Sequence, residues 1–535
     1  MIRQINVEFV RKYLFSLLLI VSVLLFFIIH LFFTIKFESN DDVVMALISS
    51  GAYSGDIDNH LVFINMLYGS LLNLFYYLIP AYEWYPISFV IINILSVTLI
   101  SWTILRTTNN KLEKLIFLLF LLLAFLEITV QLQFTKTAAI AAVSGVILLK
   151  ETKGKMLYGG MSLIILASLI RFEAALLVLL IVMPIFFLDF FKDRKFRFNF
   201  RIKVLLVTVM ISFICKAIDY VYYTQDAEWE YFSKYNKLRG EINDNPNARS
   251  VFNNLPEGIA PADYDALLSF FPNPDTMDYE AVKKINLELN KVPPFTKIRY
   301  IFSLHYYLLP ILLLAFIVIA ARYNKEKNSP SNMGITWMFG LLMGALIYVS
   351  LNGAVKNRVF FVAFVSFILV LPYLLVNFSS SIQKKIILIS VLVSTYYFYN
   401  NIQDTLKNEN YAFQVKQNQS KIVAEYLKDE SKKLVPYSGN YRLEYLNPFR
   451  VSVSFYTDRI YLGGWFTNIP FHKDRFQSFD DLIDNYGVLV NKRYYKLAVW
   501  QITNSILENN NIKVEPKVVL NHNGNYIIEF NRIQN

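Results

Sequence analysis

Three carboxylates lie close together directly behind the first long apolar run of the chain. Residues 36–42 read KFESNDD, and they place Glu38, Asp41 and Asp42 where an apolar helix over 13–35 would leave a lipid bilayer. A carboxylate at the rim of a cavity that faces lipid can act as a general base toward a hydroxyl group. Alternatively, Asp41 and Asp42 together can hold a divalent cation, Mg²⁺ or Mn²⁺, that neutralises a departing phosphate.

The same acids also have a structural explanation. Ser39 or Asn40 is a favourable cap for a short helix over 41–50, and Asp41 and Asp42 would then stabilise the positive end of the helix dipole. Capping and catalysis are compatible, because a cap fixes the carboxylates on a rigid element.

The segment that follows adds a histidine. GAYSGDIDNHLVFINMLYG, residues 51–69, contains Asp56, Asp58 and His60 ahead of an apolar run. The unperturbed pKa of histidine, about 6.5, suits proton transfer near neutral pH, although a single histidine at a helix start is more often structural. We rank His60 as a candidate for substrate binding and interpret Asp56 and Asp58 as loop or capping residues.

Four basic residues lie at predicted outer ends of apolar helices, namely Lys136, Arg171, Lys356 and Arg358. Positive charge at outer helix ends opposes insertion, so it needs a reason. Snorkelling to lipid headgroups explains any single residue, whereas four of them around one cavity would form an anion site for a phosphate or pyrophosphate. Arg171 is the strongest candidate, because it lies between two apolar helices. Its structural alternative is an ion pair with Glu173 across a tight turn.

The composition is that of a helical membrane protein. Of 535 residues, 55% are hydrophobic and 17% are charged, with a mean hydropathy of +0.38. Many apolar stretches reach the roughly 20 residues that cross a bilayer, and only helices or closed barrels satisfy their backbone groups in lipid. No small-residue cleavage site follows the first apolar run, so we expect a retained helix and not a signal peptide.

The distribution of charge argues against a nucleic-acid partner. The net charge is +11, but the basic residues are concentrated in short loops between apolar runs, where they encode topology. Cys215 is the single cysteine, which excludes a disulfide within the chain and a cysteine-built metal site.

Eleven transmembrane spans are predicted, at about 13–35, 87–105, 115–132, 137–149, 156–170, 174–190, 204–223, 300–321, 334–351, 359–377 and 385–399. If segment 61–79 lies along the surface and the N-terminus is inside, the inner loops hold 20 lysines and arginines against six acidic residues. A crossing at 61–79 would turn the basic segment 190–203 outward, against the positive-inside rule. We therefore predict a multi-pass protein of the cell membrane with a cytoplasmic N-terminus and an extracytoplasmic C-terminal domain.

The predicted fold class is a polytopic α-helical membrane protein with a small α/β C-terminal outer domain. Its parts are a transmembrane bundle over 1–399, with an acidic first outer loop over 36–86 that carries an interfacial helix, a large outer loop over 224–299, and the outer domain over 400–535.

Three segments of the tail have local patterns. SFDDLIDNYGVLVNK, residues 478–492, predicts a helix that leads into a strand, and VVLNHNGNYIIEF, residues 518–530, predicts a hairpin turned at Asn523-Gly524. GGWFTNIP, residues 463–470, is a candidate sugar-contacting loop.

Several catalytic signatures are absent from the sequence. It contains no Gly-rich phosphate loop with a lysine, no His-Glu-x-x-His stretch and no Gly-x-Ser-x-Gly elbow. Since no long inner domain is predicted that would bind a nucleotide-sugar, any chemistry would take place outside, on a substrate carried in the membrane.

This layout resembles the GT-C superfamily of integral-membrane glycosyltransferases: one helix, an acidic motif that opens a first outer loop, a helix bundle and an outer C-terminal domain. The segment at 51–69 and YNKLRGEINDNP, residues 235–246, also look like parts of uncharacterised membrane proteins from bacterial surface-polysaccharide gene clusters. The chain has Asn-Asp-Asp where many members carry Asp-Glu or a spaced acidic pair. This departure leaves open the metal requirement and the choice between Asp41 and Asp42.

The resemblance implies transfer of a sugar from a polyprenyl-phosphate donor to a cell-surface glycan or lipid-linked acceptor, on the outer face and with inversion. Asp41 or Asp42 would supply the catalytic base or a metal ligand. Arg171, Arg358 and Lys136 would bind the donor phosphate, and Glu38, His60 and Glu173 are further candidates for substrate binding. A polysaccharide polymerase or ligase, a non-enzymatic flippase or exporter of lipid-linked glycans, and a non-catalytic scaffold remain open alternatives.

Overall fold

A computed structural model describes residues 2–53, 55–188, 199–292, 305–322, 330–352, 356–375, 381–407, 409–437, 447–449, 459–472 and 476–533. Most of the predicted inner loops 189–203 and 322–328 lies outside these residues. So do the first residues of the predicted span 300–321 and the last residues of the predicted spans 174–190 and 359–377.

The first half of the chain is helical, apart from one short pair of strands. Its elements are α1 (Ile2–Phe32), β1 (Lys36–Phe37), α2 (Asn40–Ser49), α3 (Met66–Leu78), α4 (Trp84–Thr107), α5 (Lys111–Val130), β2 (Gln131–Leu132), α6 (Phe134–Glu151), α7 (Lys155–Ile170), α8 (Phe172–Val182, continued by a 3₁₀ turn over Met183–Phe187), α9 (Phe200–Thr224), α10 (Ala227–Asn243), α11 (Pro261–Leu268) and α12 (Tyr279–Asn290). Each predicted span in this half overlaps one of these helices.

The second half of the chain begins with four apolar helices and ends in a mixed α/β region. Its elements are α13 (His305–Arg322), α14 (Pro330–Asn352), α15 (Asn357–Leu375), α16 (Ser381–Lys407), α17 (Glu409–Tyr426), β3 (Lys433–Pro436), α18 (Phe479–Asn485), β4 (Tyr486–Asn491), α19 (Tyr495–Asn510), β5 (Val514–His522) and β6 (Asn525–Arg532). The remaining predicted spans overlap α13 to α16.

The apolar helices make this a multi-pass membrane protein. Five helical segments of the described chain are long and apolar enough to cross a bilayer: Tyr13–Phe32, Trp84–Thr107, Phe200–Thr224, Pro330–Leu351 and Asn357–Leu375. Two shorter apolar helices are Lys155–Ile170 and Phe172–Phe187. The number of eleven crossings and the orientation of the termini stay predictions.

The ambiguous segment 61–79 forms only α3, which has 13 residues. At 1.5 Å per residue this helix is about 20 Å long, which is shorter than the roughly 30 Å hydrocarbon layer. Leu74 and Tyr77 of α3 are exposed, while Tyr68 and Leu72 are buried. A short helix with one apolar exposed face is consistent with the predicted position along the membrane surface.

Helix α6 lies at the centre of the bundle, and its residues from 134 to 149 are all buried. Its side chains are mostly small, and it crosses α7 at Gly145 and Gly160. A Cβ atom added to either glycine would lie 2.7 Å from the carbonyl oxygen of the other. Small residues let membrane helices approach this closely.

The C-terminal region contains a four-stranded sheet in the order β3-β4-β6-β5, in which β3 and β4 are parallel and the other neighbours are antiparallel. The predicted hairpin is confirmed: β5 and β6 are joined by Asn523 and Gly524, both with positive φ, as a tight primed turn requires. The predicted helix and strand before it are also confirmed, as α18 and β4.

Helices α10 to α12 form a separate small core and dock onto the C-terminal region. Asp263 and Asp265 of α11 accept hydrogen bonds from Ser505 and Gln501 of α19. These contacts join two parts of the chain that both contribute residues to the cavity described next.

Candidate active site

A cavity of about 480 Å³ lies where the ends of several helices meet α10 and the segment after β3. Its charged lining residues are Asp41, Asp244, Arg171, Lys237, Arg239, Lys356 and Arg358. Its aromatic lining residues are Phe63, Phe134, Phe270, Trp465 and Phe466. The cavity therefore combines an excess of positive charge with flat apolar surfaces.

A two-residue strand pair brings the acidic segment to this cavity. Lys36 and Phe37 of β1 pair in parallel with Gln131 and Leu132 of β2, and the backbone N–H of Glu38 donates to the carbonyl of Leu132 at 3.0 Å. The start of α2 is thereby tied to the start of α6. Sequence patterns did not indicate this pairing.

Asp41 of α2 lies in the lining of the cavity. Its Oδ2 atom is 3.1 Å from Nη1 of Arg358, and its Oδ1 atom accepts a hydrogen bond of 3.0 Å from Nε1 of Trp465. About a fifth of each charged side chain is exposed. Asp41 is thus a partly open carboxylate, held in place from two sides.

Asp42, the next residue, points the other way. Its side chain is fully buried and is not part of the cavity lining, because successive residues of a helix point about 100° apart. Oδ1 accepts from the backbone N–H of Phe134 at 3.0 Å and from the hydroxyl of Tyr85 at 3.1 Å, and Oδ2 accepts from the hydroxyl of Ser39 at 3.0 Å. These bonds fasten α2 to α4 and to the N-terminus of α6.

Burial has a large effect on the acidity of Asp42. Loss of hydration raises its pKa from 3.8 to about 8, and the nearby Asp41 carboxylate adds to the shift, while the N–H of Phe134 opposes it. The neutral acid therefore predominates at pH 7. Ser39 occupies the N-cap position of α2, but the predicted side-chain cap does not form. The Ser39 hydroxyl donates to Asp42 and makes no side-chain bond to the helix backbone.

Phe134, the first residue of α6, lies close to both arginines predicted to bind phosphate. The guanidinium carbon of Arg171 lies 5.4 Å from the centre of its ring, and that of Arg358 lies 5.8 Å from it. Both arginines line the cavity. The structure thus brings Asp41, Arg171 and Arg358 to one site.

Arg171 also makes the ion pair considered above as its structural alternative. Its Nε atom is 3.0 Å from a carboxylate oxygen of Glu173, whose side chain is 61% exposed. A pair this exposed contributes little to stability. Glu173 is not part of the cavity lining.

Lys136 and Glu38 lie outside the cavity lining. The side chain of Lys136 is buried, and its ammonium group lies 2.8 Å from Glu38 and also pairs with Glu127. Two carboxylates therefore neutralise this lysine, and its geometry favours a structural role over the predicted phosphate contact.

His60 is likewise not part of the cavity lining. Its Nδ1 atom is 2.7 Å from Asp58, and its ring stacks on Trp229 with the ring centres 4.0 Å apart. These contacts favour a structural role for His60, although it lies in the loop before α3 and not at a helix start.

The carboxylates here do not fit a divalent cation. The described residues contain no group of three or more histidine, cysteine, aspartate or glutamate side chains that could hold a metal. Both oxygens of Asp41 accept from nitrogen donors, one of them a guanidinium, and Asp42 is buried as described.

Sequence reasoning missed Arg239 and Lys237, which line the cavity from α10, and Trp465, which contacts Asp41. The only signals for them were the segments YNKLRGEINDNP and GGWFTNIP, neither of which indicated a role for a particular side chain. Lys356, noted above for its position, pairs with Asp244 at 3.0 Å.

Comparisons with known proteins add little to what the geometry of the site indicates about function. No family model and no curated protein matches the chain. Among solved structures, the crystal structure of ArnT from Cupriavidus metallidurans in the apo state matches 96% of this chain and 97% of its own, with 12% sequence identity and a TM-score of 0.40. A likeness of this degree carries no argument about the fold or the chemistry of this chain.

Proposed function

We propose that the chain is a membrane glycosyltransferase of the GT-C type. It would transfer a sugar from a polyprenyl-phosphate donor to the hydroxyl of a cell-surface glycan or lipid-linked acceptor. The observation that carries the proposal is the meeting of Asp41, Arg171 and Arg358 in one aromatic-lined cavity, at the ends of apolar helices.

Asp41 is the candidate general base. It is the one acid of the predicted trio that lines the cavity, and the indole of Trp465 and the guanidinium of Arg358 fix its orientation. A base must lie within hydrogen-bond reach of the proton that it removes, and the partial exposure of Asp41 leaves room for an acceptor hydroxyl. Asp42 would act as a positioning residue.

The proposed reaction is a single displacement. The acceptor oxygen attacks the anomeric carbon while its proton passes to Asp41, and the bond between that carbon and the phosphate oxygen breaks. The leaving phosphate keeps the bonding electron pair. Arg171 and Arg358 would stabilise its developing charge, since fixed cations aimed at such a charge lower the barrier.

A lipid-linked donor is supported by the surroundings of Arg171. Phe172, the residue after Arg171 in the chain, lines a small apolar groove together with Leu176 of α8 and Phe213 of α9. Leu176 and Phe213 remain exposed, so they present a hydrocarbon surface on the helix that follows Arg171 and on its neighbour. The aromatic lining of the cavity suits the apolar faces of a sugar ring.

The test is transfer by the purified full chain in lipid nanodiscs, with polyprenyl-phosphate sugars as donors and cell-envelope glycans as acceptors. Asp41→Asn should abolish transfer, and Asp275→Asn, at an exposed acid of the outer loop, is the matched control. Transfer at the normal rate by Asp41→Asn would refute the proposal.

The same nanodiscs separate the alternatives. Use of a polyprenyl-pyrophosphate glycan as the only donor would favour a polymerase or ligase. Movement of a fluorescent lipid-linked glycan between leaflets, without any transfer, would favour a flippase.

A further inference from the structure

The positive residues of the cavity fall into two groups, according to whether a carboxylate neutralises them. Arg358 pairs with Asp41, Lys356 with Asp244, and Arg171 with Glu173. In the described part of the chain, neither Arg239 nor Lys237 has a carboxylate within ion-pairing distance. Both lie on α10 and line the same cavity.

Arg239 is almost completely buried, with 7% of its surface exposed. Its guanidinium donates to Oδ1 of Asn236 from Nε and Nη2, at 3.1 and 2.9 Å, and to Oδ1 of Asn243 from Nη1, at 2.9 Å. A guanidinium has five N–H groups, so two remain after these three bonds. The two asparagine oxygens orient the group without neutralising it.

A buried cation without a counter-charge is unfavourable unless something else compensates for its lost hydration. Burial lowers the pKa of Arg239 from its ordinary value, and the more distant carboxylates of Asp244 and Asp41 only partly oppose this shift. The guanidinium of Arg239 is therefore well suited to bind an anion, because the hydrogen bonds between a guanidinium and an anionic group are charge-assisted and strong.

The neighbouring residue leaves room for that ligand. Gly240 lines the cavity, and a Cβ atom added to it would have no atom within 4 Å apart from its chain neighbours and the backbone of its own helix. Glycine within a helix weakens the helix relative to alanine. Here it keeps the space beside Arg239 open.

We propose that Arg239 and Lys237 form a second anion subsite in the cavity, one that binds a phosphate ester or carboxylate of the acceptor. The proposal rests on the proposed function, since Arg171 and Arg358 are taken there to bind the donor phosphate. It adds a substrate class: the acceptor carries a negative charge close to the hydroxyl that is glycosylated.

The experiment measures anion binding directly. The full chain in nanodiscs is titrated with inorganic phosphate and, separately, with glucuronate, at constant ionic strength and with saturating polyprenyl phosphate in the donor subsite. Calorimetry should show binding of at least one of these probes. The probe that binds more tightly identifies the acceptor group as a phosphate ester or a carboxylate.

Three variants locate the subsite. Arg239→Gln should weaken binding at least about tenfold, as expected for loss of a charge-assisted hydrogen bond, while Arg239→Lys retains part of the affinity. Gly240→Leu should also weaken binding, although it changes no charge. Arg249→Gln, at an exposed arginine of the same loop, is the matched control and should bind like the parent protein.

Other outcomes would overturn the proposal. If polyprenyl phosphate abolishes binding of both probes, Arg239 belongs to the donor subsite. If Arg239→Gln lowers the unfolding temperature in probe-free buffer and leaves probe affinity unchanged, Arg239 is only structural. No binding of either probe, with sugar transfer intact, would remove this subsite and leave the proposed function standing. If a probe binds at Arg239 but transfer is insensitive to Asp41→Asn, the proposed function is refuted and the anion subsite stands.

Discussion

Replacing Asp42 by asparagine should stabilise the protein at neutral and alkaline pH and leave transfer intact. Asparagine has nearly the shape of the neutral acid. Its oxygen can accept from the N–H of Phe134 and the hydroxyl of Tyr85, and its amide group can donate to the Ser39 oxygen, so the three contacts of Asp42 are kept. The variant lacks only the proton that the acid can lose.

The magnitude follows from the raised pKa of Asp42. The folded protein holds the proton up to a pKa of about 8, whereas the unfolded chain loses it near 3.8. The folded state therefore binds more protons between these values, and the stability due to Asp42 falls as the pH rises through this window. At 1.36 kcal/mol per pH unit, the loss between pH 5 and pH 8 is about 3–4 kcal/mol.

The assay is the unfolding temperature of both proteins in nanodiscs from pH 5 to pH 9, followed by tryptophan fluorescence. The difference between Asp42→Asn and the parent protein should grow with pH up to about 8 and then level off, since other titrating groups cancel in the difference. Asp42→Ala is the control, because it removes the acceptors and should be destabilised by about 1–3 kcal/mol even at pH 5. A difference that does not change with pH would refute a buried neutral acid.

Three further predictions concern Lys136, Arg171 and Trp465. Lys136→Met should sharply lower the yield of folded protein, because it leaves two glutamates near a buried site without their cation; normal folding with only a raised donor KM would instead restore the predicted phosphate contact. Arg171→Gln should raise the donor KM at least about tenfold with little change in unfolding temperature, since water can take over at the exposed Glu173; loss of folded protein would identify a structural ion pair. Trp465→Phe should lower kcat about tenfold or more, because Asp41 loses the N–H that orients it; unchanged kinetics would show that this bond is dispensable.

The sequence predicted well those features that depend on neighbouring residues. The hairpin at Asn523 and Gly524 depends on two residues that tolerate positive φ. The short helix after Ser39 was also predicted, although its expected side-chain cap does not form. The charge of the loops predicted that 61–79 lies along the surface, and the 13-residue length of α3 is consistent with that prediction.

The residues that line the cavity could be predicted only in part, because basic residues in similar sequence contexts have different surroundings in the folded protein. Lys136 and Arg358 have similar sequence contexts. In the structure, however, Lys136 pairs with two glutamates, whereas Arg358 lines the cavity. Arg239 lies on α10, within the polar segment 224–299 that was predicted as an outer loop. This segment contains several other basic residues, so no sequence pattern indicates that Arg239 is the buried one.

The sequence by itself determined that the chain is a helical membrane protein with acids behind its first apolar helix, since apolar length and local spacing suffice for both conclusions. Only the tertiary structure decided that Asp41 faces the cavity and that Asp42 does not. That choice depends on the rotation of α2 about its axis, which bonds to Tyr85 and Phe134 set. Phe134 is 92 residues away from Asp42 along the chain, and a contact at that separation arises from packing of the whole bundle and not from any local pattern.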